Sequence, residues 1–543
     1  MKGIISKNLL YKRIFALCLV VNLLLFFFVL FFFKPLYNSG DDAILMYSFS
    51  GSFGIPPTEL VDYSWGWHFL LGLLIKRLFV AVPSFNWYSF FLLAIHFLSC
   101  VLVLDFFLRM FRPGFAFLLY AVFFIFFEVT FLFFLNFTNS SIICAAVGNV
   151  LLVDRFFRRD LKASLFILPS FVLLVSGLLR FHAWLFVELI FGLFIFLLPR
   201  KKSVPYLFFK SGLLALLLLC FFIHQEYYKK RIPGWERQQY VSATLINFNN
   251  SPHREGSISG VFKDSVEEEF FKRGFYYDSL LFTDQRIKEI TSRLKRVIDF
   301  SQDNDWSVFY WTFVNTRIYL LCILITVLFL FAKKEFSLLK KSSIFLISSF
   351  LLYLYLLMFK KVTGSMFIGL IAIDWLIIIL LYSTEETATP SKRISLIFIP
   401  LLVFCFFWMS IRIYKMNSGN IKKFNKWICC FNDLRKNFST IHIASDKNFP
   451  IDYFSVMDNP QNFEIDNLIS VGQFPKAVYY QKRHQFELRN VPEDILKRHD
   501  LAIVGVTLNF LNEYYLKKYN QTTFLSRDTA HYRCLNAYTV LLK

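Results

Sequence analysis

Two adjacent carboxylates, Asp41 and Asp42, close the string Asn38-Ser39-Gly40-Asp41-Asp42, a few residues after a long apolar stretch ends. A carboxylate held where an apolar layer meets water can act as a base. Proton abstraction from a hydroxyl needs an oxyanion of tunable pKa within hydrogen-bond reach, and neighbouring acids raise one another's pKa. The same pair would serve equally as a helix N-cap or a solvated turn. Cations suited to an anionic group stand at Arg180 with His182, at Arg317 and at Lys360-Lys361. Guanidinium groups bind phosphate bidentately, whereas lysines at a membrane edge also snorkel to headgroups. Inside apolar blocks lie His96, Glu128, Glu188 and Asp374. Charge there is costly and marks a functional hypothesis, with a helix-to-helix hydrogen bond as the plain alternative. Glu128, close to Asn136 and Asn139, is a candidate wall of a pocket for an accepting hydroxyl, together with Asn136 and His68.

The elements that must position these groups are membrane helices. Of 543 residues, 56% are hydrophobic and 18% charged, 71 are phenylalanine, and the mean hydropathy is +0.50. A soluble chain carries about a quarter charged residues, whereas apolar residues here come in blocks of about 17 to 24. The net charge of +21 would suit nucleic acid in a soluble protein. Most of the excess lies in short clusters beside apolar blocks, where it sets topology, so no nucleic-acid partner is expected. Eleven spans follow: Ile14–Phe33, Trp87–Leu108, Phe115–Leu135, Thr138–Val153, Ala163–Leu179, Phe181–Leu198, Pro205–Ile223, Phe309–Ala332, Ile344–Phe359, Ser365–Tyr382 and Ile394–Ile411.

Charge fixes the topology. Lys2, Lys7, Lys12 and Arg13 precede the first span, which reads as a retained anchor in the cytoplasmic membrane with its N-terminus on the cytoplasmic side. Trp65–Val82 is apolar and of nearly spanning length but carries His68, Lys76 and Arg77. If it lies flat, the clusters at Arg109/Arg112, Arg155/Arg158/Arg159/Lys162, Arg200/Lys201/Lys202, Lys333/Lys334/Lys340/Lys341 and Lys392/Arg393 all fall inside, and if it spans they all fall outside. It is therefore expected to be an interfacial helix. Ala163–Leu198, as one helix, would be about 54 Å long against a core of about 30 Å. It must turn back near Gly177–His182, which puts Arg180 and His182 at the external surface.

The expected organisation is a transmembrane domain over residues 1–411 with external loops at 34–86 and 225–308, followed by an external domain at 412–543. Val266–Phe300 has helical spacing. In the tail, Thr440–Ala444, Leu468–Val471, Leu501–Val506 and Ala537–Leu542 read as strands and Leu508–Tyr519 as a helix, a small α/β domain. Nine cysteines show no CxxC and no zinc spacing, so no structural metal site is expected. Cys429-Cys430 and Cys534 share the external tail, where one disulfide is expected. There is no P-loop and no GxGxxG, which removes the main support for ATP-driven transport.

With Gly40-Asp41-Asp42 just after the first span, the surface stretch Trp65-Gly-Trp-His68 through Val82, and Asn86-Trp87-Tyr88 opening the second span, the chain resembles the GT-C superfamily of integral-membrane glycosyltransferases. The resemblance covers the architecture of the whole chain. Arg273-Gly-Phe-Tyr-Tyr-Asp278 followed by Asp284 resembles uncharacterised bacterial members. The Trp-Trp-Asp-Tyr-Gly signature of oligosaccharyltransferases is missing, and the nearest string, Tyr63-Ser-Trp-Gly-Trp67, is not equivalent, which disfavours transfer of a preassembled oligosaccharide to asparagine. The resemblance implies a sugar donor linked to polyprenyl phosphate and a cell-envelope glycan or lipid acceptor on the outer face of the cytoplasmic membrane. Asp41 or Asp42 would be the base, and Arg180, His182 and Arg317 would bind the donor phosphate. No cofactor is required outright, and the need for a divalent metal is left open. The rival classes are a transporter or flippase for lipid-linked glycans, using His96, Glu128 and Asp374, and an O-antigen polymerase or ligase, which does not call for an acidic pair after the first span.

Overall fold

The computed structural model describes residues 2–61, 66–158, 164–197, 200–232, 235, 261–272, 282–300, 316–327, 336–359, 364–384, 392–445, 449–471, 474–504 and 509–542. The Arg273–Asp278 string, Lys360-Lys361 and the start of Tyr63–Trp67 lie outside the described residues. The chain is a helical membrane protein. Among the described residues five helices are long and apolar enough to cross a bilayer, Arg13–Phe32, Trp87–Met110, Pro113–Phe133, Phe137–Phe156 and Val204–Arg231, and four shorter apolar helices accompany them.

Helix α1 (Lys2–Phe32) leads into a two-residue strand, β1 (Leu36–Tyr37), and then α2 (Gly40–Ser50). Helix α3 (Phe69–Ala81) has 13 residues and is about 20 Å long, too short to cross about 30 Å of hydrocarbon, in keeping with an interfacial helix. Helix α4 is Trp87–Met110. The following span is built from α5 (Pro113–Phe123), a π-helical turn at Phe124–Glu128 and α6 (Val129–Phe133). It ends in β2 (Phe134–Leu135), which pairs in parallel with β1 through Leu36↔Phe134 and Tyr37↔Leu135. Helix α7 is Phe137–Arg158.

The expected reversal is present. Helix α8 (Ser164–Leu179) ends at Arg180, whose extended backbone (φ −158°, ψ 99°) begins α9 (Phe181–Phe196). Ser141 at the start of α7 bonds Ser176 and the Arg180 carbonyl, while Asn149, two turns further along α7, bonds Glu188 on α9. The two helices thus run in opposite directions against α7. Helix α10 (Arg200–Arg231) passes both and continues to the first loop, where Tyr228 donates to the Glu59 carbonyl (2.6 Å).

The domain boundary expected at 411/412 falls inside one helix, Lys392–Lys436, of 45 residues. At about 68 Å it is long enough to cross a bilayer and project well beyond it. The α/β unit therefore begins only at β3 (Ile441–Ser445). With β4 (Leu468–Val471), β5 (Leu501–Val504), β6 (Thr523–Arg527) and β7 (Ala537–Leu542) it forms a five-stranded sheet of order β4-β3-β5-β7-β6, the first three parallel and the last two antiparallel. Strand β6 and the helices Lys476–Gln485 and Val491–Lys497 escape the sequence reading. The expected disulfide joins Cys429 on the long helix to Cys534, and Cys430 stays free and buried. The loop Phe449–Ile465 roofs the first loop. Leu36 bridges Ser455, Ile465 N–H donates to the Ser52 carbonyl (2.8 Å), Tyr47 donates to the Phe463 carbonyl (3.0 Å), and Asn86 donates to the Asp458 carbonyl (3.0 Å).

Candidate active site

Asp41 and Asp42 open α2, and adjacent residues on a helix point about 100° apart. One therefore faces in and the other out. Asp42 is fully buried and accepts three hydrogen bonds, from the Ser39 hydroxyl at Oδ2 (2.8 Å) and from the Tyr88 hydroxyl (2.8 Å) and the Phe137 N–H (2.9 Å) at Oδ1. Burial pushes its carboxyl up to about 7, against the opposing pull of these three donors. Its place beside the first turn of α7 also complements that helix's positive end. Asp41 is exposed, and among the described residues its carboxylate has no ion-pair or hydrogen-bond partner. The structure separates the pair into an anchor, Asp42, and an accessible acid, Asp41.

The same turn of α7 carries the cation. The Phe137 ring lies 5.0 Å from the Arg180 guanidinium carbon, while the Phe137 N–H holds Asp42. Asn136 caps this turn by accepting the Asn139 N–H (2.6 Å) and itself donates to the Phe134 carbonyl (3.2 Å). Asn136 is thus committed to starting α7 rather than offered to a ligand. Trp67, fully buried with its indole N–H unpartnered among the described residues, lies 5.1 Å from the Tyr88 ring and 6.3 Å from Phe137. Arg180 is half-buried and His182, the second residue of α9, is exposed beside it.

Other expected site residues lie elsewhere. Arg317 is exposed on the helix Thr316–Val327, 5.8 Å from the Trp408 ring, and one turn along the long helix from Trp408, Arg412 sits 5.0 Å over Tyr319. His68 presents no free ring nitrogen, since Nε2 meets the Cys220 carbonyl (2.9 Å) and Nδ1 accepts the Leu70 N–H (3.3 Å). Glu128, in the π turn, pairs with His96 (Oε1 to Nδ1, 2.8 Å), and both are fully buried. π turns recur at functional sites. Ser140 donates to the Asn136 carbonyl (2.8 Å), so His96 Nε2 must donate to Ser140 (3.0 Å). One proton then lies between Nδ1 and Glu128, whether the pair is imidazole with carboxylic acid or imidazolium with carboxylate. Glu128 Oε2 has no hydrogen-bond partner among the described residues. Asp374 accepts from Ser349 (2.8 Å), and Glu188 from Lys210 (2.8 Å) and Asn149 (3.0 Å).

Sequence reasoning missed Ser39 and the Phe137 N–H as ligands of Asp42. One signal was available, because Ser39-Gly-Asp-Asp42 has the spacing of a capping box. Among the described residues no group of three His, Cys, Asp or Glu side chains is placed to hold a metal ion. No protein-family model matches the chain, and no curated protein matches it in sequence.

Proposed function

We propose that this protein is a membrane glycosyltransferase with the eleven-span, GT-C-like arrangement, moving a sugar from a polyprenyl-phosphate donor to a glycan or lipid hydroxyl at the outer face of the cytoplasmic membrane. One observation carries the reading: an accessible carboxylate, Asp41, and a guanidinium, Arg180, are fixed through Asp42 and Phe137 to the same turn of α7, beneath an extramembrane domain. The acceptor oxygen attacks the anomeric carbon while Asp41 takes its proton, and the bond from that carbon to the phosphate oxygen breaks. The departing lipid phosphate is a weak base that needs charge stabilisation rather than an acid, and Arg180 supplies it. His182 borders the same entrance, and Arg317 serves the lipid chain's phosphate only if the donor enters between the helices Thr316–Val327 and Lys392–Lys436. The outward orientation is supported by the positive clusters at the opposite end and by the Cys429–Cys534 disulfide, which belongs in an oxidising compartment.

A panel of short-chain polyprenyl-phosphate sugars tests the reading with protein in nanodiscs. Wild type should transfer at least one sugar and Asp41→Asn should do so about 100-fold more slowly. A second reading, a transporter of lipid-linked glycans, is favoured by the buried His96–Glu128 pair. It replaces the first if no donor is turned over, yet glycolipid crosses proteoliposomes in a manner abolished by Glu128→Gln.

A further inference from the structure

Helix α3 starts in an unusual way, for two imidazole nitrogens accept its first N–H groups. His224 Nδ1, from α10, takes the Phe69 N–H (3.0 Å), and His68 Nδ1 takes the Leu70 N–H (3.3 Å). The rings stack with centroids 5.1 Å apart and an interplanar angle of 28°, and both are buried. Partners fix the protonation. The Cys220 carbonyl can only accept, so His68 carries its proton on Nε2, and a nitrogen that accepts a backbone N–H carries none. The cap therefore exists only while both Nδ1 atoms are bare.

We propose that His68 and His224 form an acid-sensitive cap that holds α3 against α8 and α10 at neutral pH and releases it when either ring gains a second proton. An imidazolium would turn an N–H toward another N–H, at the positive end of a helix and against a second ring. Among the described residues, the charged and titratable groups of the neighbouring elements do not offset that charge. On α10 these are the Cys220 thiol, Tyr227 and Tyr228, the last ring 4.6 Å from His224. From the first loop comes Glu59, whose carboxylate is already bound by Lys76 (2.6 Å), Tyr227 (2.7 Å) and Arg231 (3.3 Å). From the α8–α9 turn come the cation Arg180 and His182. Burial holds the His68 imidazolium below the ordinary histidine range, with the Cys220 carbonyl opposing. A depressed folded-state value means that the cap's contribution is present above the ordinary histidine value of about 6.5 and lost as pH falls through the lower one.

Release reaches the candidate site. The His68 N–H donates to the Leu178 carbonyl (2.9 Å), two residues before Arg180, and Trp67 packs on Tyr88 and Phe137. Acid would thus loosen the wall that positions Arg180. That consequence rests on the transferase reading, whereas the cap itself does not.

Hydrogen exchange of the full chain in nanodiscs, from pH 7.5 to 5.0 and corrected for the intrinsic exchange rate, tests the cap. Peptides covering Phe69–Ile75 should lose protection roughly tenfold for each pH unit below the cap's titration. In His68→Asn/His224→Asn, whose amide oxygens accept N–H at any pH, protection should stay flat, and the single variant His224→Asn should lose the His224 part of the response. Unchanged wild-type protection over the whole range overturns the proposal without any variant. An equal loss in the double variant overturns it too, since acid would then act elsewhere. None of these outcomes depends on turnover, so failure of the transferase reading remains a separate result.

Discussion

Two clusters at opposite ends of the helix bundle treat charge in opposite ways. At the end that carries the basic clusters, acids and bases neutralise one another. Arg109 binds Asp105 (2.8 Å) and reaches Asp154 (3.7 Å), both acids nearly fully buried, and Lys210 binds Glu188 (2.8 Å). Asp154 lies 17 residues from Phe137 along α7, about 26 Å away. At the Phe137 end the first loop has pairs of its own, Glu59 with Lys76 (2.6 Å) and Arg231 (3.3 Å) and Lys34 with Asp458 (3.1 Å), but among the described residues Asp41, Asp42 and Arg180 have no such pairing. Asp42 is held by a hydroxyl, a phenol and an amide, Asp41 by nothing, and Arg180 by an aromatic face. A buried charge that has found its opposite charge is structural. A carboxylate and a guanidinium tied through Asp42 and Phe137 to one turn of α7, and not paired, keep their charges open to a ligand.

The largest expected effect breaks the paired end. Arg109→Ala would take from two buried carboxylates the guanidinium that bridges them, a loss of about 3–5 kcal/mol, whereas Arg180→Ala gives up only a ring contact worth about 1 kcal/mol or less. Thermal unfolding in one detergent compares them directly. A similar loss from both would erase the contrast between the two ends.

Next comes the unpaired acid. Asp41→Asn keeps size and polarity but cannot accept a proton, so turnover should fall about 100-fold, or roughly 2.7 kcal/mol. Its melting temperature should match wild type, because among the described residues the exposed side chain has no hydrogen bond or ion pair to lose. Undiminished transfer would remove Asp41 from the chemistry and leave Glu128 as the next acid to test.

Arg180→Ala should lower kcat/KM for the lipid-phosphate donor about 30-fold, near 2 kcal/mol for one charge-assisted contact. Arg180→Lys should recover only part of this, since an ammonium lacks the bidentate fork. Equal kinetics in wild type and both variants would reduce Arg180 to a snorkelling residue.

The contrast between the ends was only partly legible in the sequence. The apolar blocks, the break at Arg180, the short α3 and four strands of the tail could be read, because each follows from local pattern and length. The long helix could not be bounded, since the polar stretch after Arg412 carries Asn417-Ser418-Gly419-Asn420, a string that reads as a stop, yet the helix runs through it to Lys436. Side-chain pairing was also out of reach. His96 and Glu128 are 32 residues apart, and their meeting depends on how α4 packs on the π turn. Asp41 and Asp42 could not be told apart as neighbours in a string, although a helix starting at Gly40 already forces them onto different faces.

The smallest effect at neutral pH belongs to Asp42→Asn, and its sign is what matters. An asparagine can still accept from Tyr88 and Phe137 through its oxygen and donate to the Ser39 hydroxyl, so the fold should survive with little change. What it loses is titration. Two forces compete at Asp42, burial favouring the neutral acid and three donors favouring the carboxylate, and burial prevails, lifting the group from 3.8 to about 7. The folded state then holds a proton that the unfolded chain has released, so Asp42 contributes stability that is fully present below about pH 4 and is lost as pH rises toward 7. Relative to Asp42→Asn, wild type should therefore gain melting temperature as pH is lowered from 8 to 5. Comparing the two proteins at each pH cancels the titration of every group they share. If wild type instead loses ground on acidification, the three donors outweigh burial, Asp42 is a carboxylate throughout, and its negative charge beside Asp41 would raise the proton affinity of the accessible acid.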